Sequence, residues 1–479
     1  MRIRVLNFNL SLCRGTGRGD RKRSPLAFAA GFLGFALLGL LSATSTASGQ
    51  ITTTPLNPTG VYAVGEKIAW HVTAKAADLS AYAHVNYTIK KNGLTPYASG
   101  SLDLSSGSAD ITTSLDEPGD LFLEITPPPA AAPAGGPRGG RGSGGSSRVL
   151  AGALIDPANI KPAAPRPDDF DAFWAGKIKT LEAVPPNPQL VTADSGNPAV
   201  TYEKLTLDNI NQTHVYGQLA RPAKDGKFPA LLILQWAGVY GLQKGGVVPY
   251  AQKGWMVLNI EPHDIPFDQP QAFYDNASRT TLADYYHVGN DDRDKSYFLR
   301  MYLSAYRAAE YLTSRGDWDG KNLVVMGTSM GGQQTLVMGG LYPKVSAIMA
   351  CVPSSCDANG PTIGRAAGFP DWAAQAAAKK NPKILETARY YDPENFAYHI
   401  TCPALVAMGL IDETCPAAGV NAAINQMHGP IDRVVMVNSA HQETNNSQAP
   451  FKDASNRWLT AILNGQPPTT APAATRPAP

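Results

Sequence analysis

Asn322-Leu323-Val324-Val325-Met326-Gly327-Thr328-Ser329-Met330-Gly331-Gly332 is the stretch on which the reading of this chain turns. A short apolar, β-branched run stopped by glycine has the pattern of a buried strand. The following Gln333 to Leu341 has no breaker except paired glycines and predicts a helix. Gly-x-Ser-x-Gly between a strand and a helix is the context of a nucleophile elbow. There the serine occupies a turn so sharp that only glycine fits two residues to either side. The amide of Met330, at the start of the helix, would point at a developing oxyanion.

Working outward, further apolar runs stand on both sides of this strand: Pro229 to Leu234, Gly254 to Ile260, Ser346 to Ala350, Ala404 to Met408 and Arg433 to Val437. Uninterrupted apolar strands separated by helical segments, Tyr297 to Arg315 and Phe451 to Leu463 among them, mean a parallel sheet covered on both faces. In such a doubly wound sheet ligand chemistry gathers at the carboxyl ends of the strands. Asp412 and His441, like Ser329, each follow an apolar run, and the order Ser, Asp, His is that of the α/β-hydrolases. The imidazole would take the serine proton, and the carboxylate would set the imidazole tautomer.

Both partners of the serine have competitors. Asp357 follows the strand after the elbow, but Gly409-Leu-Ile-Asp-Glu-Thr-Cys-Pro416 is a tight loop immediately off a strand and favours Asp412. His428 falls near the end of a predicted helix Ala417 to Met427, where an imidazole is solvated or caps carbonyls. The second oxyanion donor is expected from Gln235-Trp-Ala-Gly-Val-Tyr-Gly241, whose glycines let backbone approach a substrate oxygen, with Val239 or Tyr240 supplying the amide. The two bulky aromatics of this loop would also roof the site against long acyl chains.

The chain has 479 residues, 43% hydrophobic and 17% charged, which fits a globular protein of two or three domains. A formal net charge of +2 offers no basic field for nucleic acid. Residues 1–49 have a basic start, an apolar run from Pro25 to Leu41 and small residues after it, the pattern of a signal peptide cut after Ala47 or Gly49. The apolar run is too short for a membrane span, so the mature protein is expected to be secreted or periplasmic without an anchor. Residues 51–158 alternate in the manner of antiparallel strands and predict a small immunoglobulin-like β-sandwich. Within it the Pro/Gly/Ala/Arg-rich segment 127–147 cannot order itself, and Arg148 to Ile155 reads as the second strand of a hairpin around that insertion. The catalytic domain spans 159–465, its entry marked by an amphipathic helix in Pro165 to Val184, and 466–479 is a disordered tail. Cys351, Cys356, Cys402 and Cys415 are too few to carry stability as bridges, and no pattern for zinc or a cofactor accompanies them.

Together, Pro165-Arg-Pro-Asp-Asp-Phe-Asp-Ala-Phe-Trp174, Gly327-Thr-Ser-Met-Gly-Gly332, Val352-Pro-Ser-Ser-Cys356, Tyr390-Tyr-Asp-Pro-Glu-Asn-Phe-Ala397, Gly409 to Pro416 and Ala440-His441 resemble the acetyl xylan esterase and cephalosporin-C deacetylase family, over about residues 155–465. The resemblance implies a serine esterase that releases acetate from O-acetylated sugars, with Ser329, Asp412 and His441 matching the family triad and Val239 or Tyr240 its oxyanion loop. A homo-oligomer is the protein partner it allows. Two positions depart from the family pattern: Met330 replaces the usual glutamine, and Asn259-Ile-Glu-Pro-His263 replaces an Arg-Gly pair. Two other readings stand beside it. One is a prolyl-oligopeptidase-like peptidase, disfavoured because no propeller-length region precedes the elbow. The other is a polysaccharide-binding surface protein using Trp70 and Tyr82.

Overall fold

The computed structural model describes residues 51–75, 83–127 and 148–468. The expected signal peptide, most of the expected 127–147 insertion, the tail from 469 and Tyr82 therefore lie outside the described residues. Eight strands form two sheets at the amino-terminal end. β1 (Ile51–Pro55), β3 (Ile68–Ala74) and β6 (Ser108–Thr113) make one, and β2 (Val61–Tyr62), β8 (Val149–Ile155), β7 (Gly119–Thr126), β4 (His84–Lys91) and β5 (Thr95–Asp103), in that order, make the other. Alternate residues of both sheets, including Ile68, Trp70, Val72, Ile89, Leu123 and Ile155, meet in one core. Trp70 is completely buried there and is not available as a sugar platform.

The larger part is a nine-stranded sheet. It comprises β9 (Gln189–Ala193), β10 (Val200–Asp208), β11 (His214–Pro222), β12 (Phe228–Leu234), β13 (Met256–Ile260), β14 (Trp318–Thr328), β15 (Ala347–Cys351), β16 (Ala404–Gly409) and β17 (Ile431–Met436). From β13 to β17 the spatial order is β13-β12-β14-β15-β16-β17 and every pairing is parallel, while β9, β10 and β11 extend the sheet antiparallel. The pleat sends Leu323 and Val325 to one face, under helices Tyr297–Ser314 and Met330–Leu341. Val324 goes to the other, under helix Ala449–Leu463. Because β13 and β14 leave β12 in opposite directions, the topology reverses at β12, and a crevice opens beyond its carboxyl end.

The sandwich is seated on the carboxyl-end loops of this sheet. Asn92 O accepts from the Ala366 amide at 2.8 Å, Thr95 Oγ1 donates to Gly364 O at 2.9 Å, and the guanidinium of Arg148 makes two bonds to Glu413 at 3.2 and 2.9 Å. Leu154, from β8, is buried in the core of the α/β part. No helix among the described residues is long and apolar enough to cross a membrane.

Candidate active site

The elbow is built by exclusion. Ser329 stands between β14 and helix Met330–Leu341 with φ 57° and ψ −120°, a conformation that a non-glycine residue holds only when its surroundings force it. A Cβ on Gly327 would lie 2.4 Å from backbone atoms of Gly331, and one on Gly331 would lie 2.2 Å from Leu234 O. Both glycines thus let the turn close against the end of β12. The Ser329 amide donates to Cys351 O at 2.9 Å, which locks the turn to β15.

Three sequence-selected side chains come together here. Ser329 Oγ is 2.9 Å from His441 Nε2, and His441 Nδ1 is 2.9 Å from Asp412 Oδ2. Asp412 is 3% exposed, and its other oxygen accepts the amides of Thr414 and Cys415, both at 2.8 Å. A carboxylate held by two amides has a fixed direction, so Nδ1 of His441 carries the proton and Nε2 faces the serine hydroxyl as acceptor. Gln448 Nε2 donates to His441 O at 3.1 Å and holds the histidine loop from behind.

Both competitors lie elsewhere. Asp357 is fully buried, paired with Arg365, and accepts the Ala163 amide at 2.8 Å. His428 is exposed and packs its ring against Tyr398. Cys415 has its sulfur within 4.8 Å of Asp412 and His441 ligand atoms, but burial first and then Asp412 push its thiol well above the ordinary range, away from the thiolate a metal takes. All four described cysteines are free thiols.

The loop after β12 departs from expectation. Val239 and Tyr240 do not line the cavity of about 600 Å³ above Ser329; Trp236 and Ala237 do. The chain turns early because Gly238 takes φ 130°, and the Tyr240 ring folds back on Trp236, its hydroxyl donating to Trp236 O at 2.9 Å. Trp236 itself is 54% exposed, and its ring stacks on that of Tyr240 with centroids 5.4 Å apart.

Two residues behind this loop carry no chemical motif in the sequence. Tyr285 accepts the Gly238 amide at 3.2 Å and donates to Met330 Sδ at 3.3 Å, bridging the loop and the elbow. His263, completely buried, has Nε2 2.9 Å from Gly238 O and Nδ1 2.7 Å from the Tyr297 hydroxyl. A carbonyl only accepts, so Nε2 carries the proton and Nδ1 accepts from Tyr297. Burial pushes the His263 pKa down to about 4 and keeps this tautomer neutral. The stretch that replaces the family's Arg-Gly pair therefore anchors the loop beside the serine.

The acetyl xylan esterase (AXE1) family profile matches residues 153–461. The acetyl esterase Axe7A of Xylanibacter ruminicola is 29% identical over 406 residues, spanning 83% of this chain and 88% of that protein. Acetyl xylan esterase 1 from Thermoanaerobacterium sp. JW/SL YS485 superposes with a TM-score of 0.57 at 20% identity, covering 64% of this chain and 97% of that one. The acetyl xylan esterase from Paenibacillus sp. R4 gives 0.55 at 21% identity, with 65% and 98% covered. These two likenesses establish the α/β-hydrolase fold. With the profile matching well over half its length, this chain belongs to the acetyl xylan esterase family and is a carboxylic ester hydrolase.

Proposed function

We propose that the protein is an exported serine esterase that removes acetyl groups from O-acetylated carbohydrate through an acyl-enzyme. The observation that carries the mechanism is the unbroken chain Ser329 Oγ, His441, Asp412 at 2.9 Å per link on a strained elbow. Nε2 of His441 takes the serine proton as Oγ adds to the acetyl carbonyl, and Asp412 stabilises the imidazolium. The oxyanion is met by the amide of Met330, and Ala237, on the neighbouring wall, is the residue best placed to supply a second. His441 then returns the proton to the departing sugar oxygen, and water repeats the sequence on the acetyl-serine to release acetate.

The acetylated-sugar substrate is supported by the relatives, named as acetyl esterase and acetyl xylan esterases, and by a cavity lined mainly by polar side chains. Export is supported by the basic, then apolar, then small-residue start of the chain. The immunoglobulin-like reading of the sandwich is supported by its strand order. β1, β3 and β6 correspond to strands A, B and E of that fold, and β4, β7 and β8 to C, F and G on the opposing sheet.

The test is Ser329→Ala on 4-nitrophenyl acetate and acetylated xylan. A folded variant should lose about 10⁴-fold in turnover, since triad members act as a unit. Retention of more than about a tenth of wild-type turnover would remove the serine from the reaction.

A further inference from the structure

We propose that Arg300 and Tyr297 are positioning residues for the oxyanion side of the reaction: with His263 they form a hydrogen-bonded chain, opposite in sense to the catalytic triad, that fixes Gly238 and through it the amide of Ala237. The proposal rests on the esterase reading above and deepens its account of the second oxyanion donor.

Arg300 Nη2 donates to the Tyr297 hydroxyl at 2.9 Å and to Pro262 O at 2.7 Å. The Tyr297 hydroxyl is 2.7 Å from His263 Nδ1, and His263 Nε2 is 2.9 Å from Gly238 O. A guanidinium only donates and a carbonyl only accepts, so both ends of the chain are fixed and every proton between them has one place. Tyr297 accepts from Arg300 and gives its own proton to Nδ1, which leaves the His263 proton on Nε2. The other tautomer would set the bare Nε2 against the Gly238 carbonyl oxygen, and two acceptors repel. His441 is the reverse case: a carboxylate accepts at the far end, Nδ1 carries the proton, and Nε2 is left to accept from the serine.

The placement of Arg300 points to this use. It lies in the first turn of helix Tyr297–Ser314, where a cation opposes the helix dipole, so helix stability does not account for it. The i, i+3 spacing puts it on the side of Tyr297, its guanidinium carbon 4.9 Å from the centre of that ring. Nη1 is buried without a hydrogen-bond partner, so the bonds of the terminal nitrogens are made through Nη2. At the other end Gly238 is held at both its polar atoms. His263 binds its carbonyl, and the Tyr285 hydroxyl, which also donates to Met330 Sδ, accepts its amide at 3.2 Å. With both flanking peptides bound, the turn at φ 130° cannot swing, and Ala237, the preceding residue and part of the wall around Ser329, is set relative to Met330.

The ionisable groups around His263 are Tyr285, 4.5 Å away between ring centroids, Tyr297, Arg300 and Glu261, whose carboxyl burial pushes well above the usual range. Asp264, the next residue, is exposed and accepts the His214 amide. Arg300 is the cation among them, and it adds to burial in keeping the imidazole neutral.

The experiment uses full-length protein carrying 15N-labelled histidine, the His263 signals being identified by their loss in His263→Leu or His263→Gln. In the wild type, long-range proton–nitrogen correlation should show a neutral ring protonated at Nε2, with a titration midpoint of about 4. In Arg300→Met that midpoint should rise by about one pH unit or more, because a nearby cation is gone. In the same variant kcat on 4-nitrophenyl acetate should fall about tenfold with KM little changed. Tyr297→Phe, which removes one hydroxyl, should lower kcat about as much, and Arg300→Met/Tyr297→Phe should lose no more than about the larger single loss, since the two act through one chain. Losses that multiply to about a hundredfold would make them separate structural residues and overturn the proposal. So would wild-type kcat in the folded single variants. An Nδ1–H signal from His263 in the wild type would overturn it too, and that measurement needs neither Arg300→Met nor Tyr297→Phe to fold. A wild type that shows the Nε2–H signal but hydrolyses no acetyl ester would overturn the esterase reading and with it the role in the reaction, leaving the chain as a brace of the loop.

Discussion

Gly152 in β8 lies so close beneath Leu410 that a Cβ there would stand 2.2 Å from the Leu410 carbonyl oxygen. Leu410 is two residues before Asp412, and Arg148, just before the same strand, grips Glu413, one residue after it. The acid loop is thus held on both sides of Asp412 by this strand of the sandwich and the residue before it. Gly152→Ala should force the loop away, lowering kcat about tenfold with KM little changed, and costing about 1–3 kcal/mol of stability as an overpacked contact. Steady-state kinetics and thermal melts check this. Wild-type kcat together with an unshifted melt would mean that the loop yields freely and the sandwich is not a brace.

The two aspartates weighed for the acid differ in what their loss should do. Asp412→Asn replaces the group that sets the histidine tautomer and should lower kcat by about 10⁴ with folding nearly intact. Asp357→Asn leaves the buried Arg365 without its charged partner and should cost about 3–5 kcal/mol of stability. At a temperature where that variant remains folded, its turnover should be close to wild type. A reversed ranking of kcat would transfer the acid role to Asp357.

His263→Leu removes the bond to Gly238 O and the acceptor for Tyr297 while leaving the triad untouched. Loosening the loop beside the oxyanion should lower kcat about tenfold, less than outright loss of an oxyanion donor. The variant should also alter the pH dependence of stability. The folded pKa of about 4 lies below the ordinary 6.5, so between those values the unfolded chain binds more protons. The contribution of His263 is then complete above pH 6.5 and is lost as pH falls toward 4. Denaturant melts across this window should show a steeper acid loss for wild type than for His263→Leu. Parallel curves would mean that the histidine titrates normally.

How far the chain could be read depended on how local each signal is. The parallel strands β12, β15 and β16 are apolar runs and β14 ends in one, because both their faces are covered, and the elbow is written in two glycines that backbone contact demands. Edge strands carry no such mark. β5, Thr95–Asp103, contains Pro96, Gly100 and three exposed polar residues and reads as loop; a Cβ at Gly100 would meet the Tyr87 hydroxyl at 2.7 Å, a constraint set by the neighbouring strand. The loop after β12 was legible as a functional loop but not in its register, since the turn at Gly238 is held by Tyr285 and His263, 47 and 25 residues away. Propensity reports a segment's own preference, and these positions are decided by partners distant in sequence.

Acyl selectivity separates a deacetylase from a lipase on the same fold, and the cavity has a definite implication for it. Seven of the ten residues lining it are polar, among them Thr414, Gln442 and Gln448, and the apolar ones are Trp236, Ala237 and Phe369. Chain length is therefore limited by how many methylenes these three residues can receive, since each one left unburied forgoes about 0.8 kcal/mol. From acetate to hexanoate esters kcat/KM should fall about tenfold or more. Trp236→Ala should narrow that gap, because it removes the bulkiest ring bordering the cavity and makes room for added methylenes. Thr414→Val, which exchanges a hydroxyl for a methyl while keeping the Thr414 amide on Asp412, should narrow it. Measurement on a 4-nitrophenyl ester series decides the matter: an unchanged gap in Trp236→Ala would take that ring out of acyl selection, and activity rising with acyl length in the wild type would contradict a deacetylase site altogether.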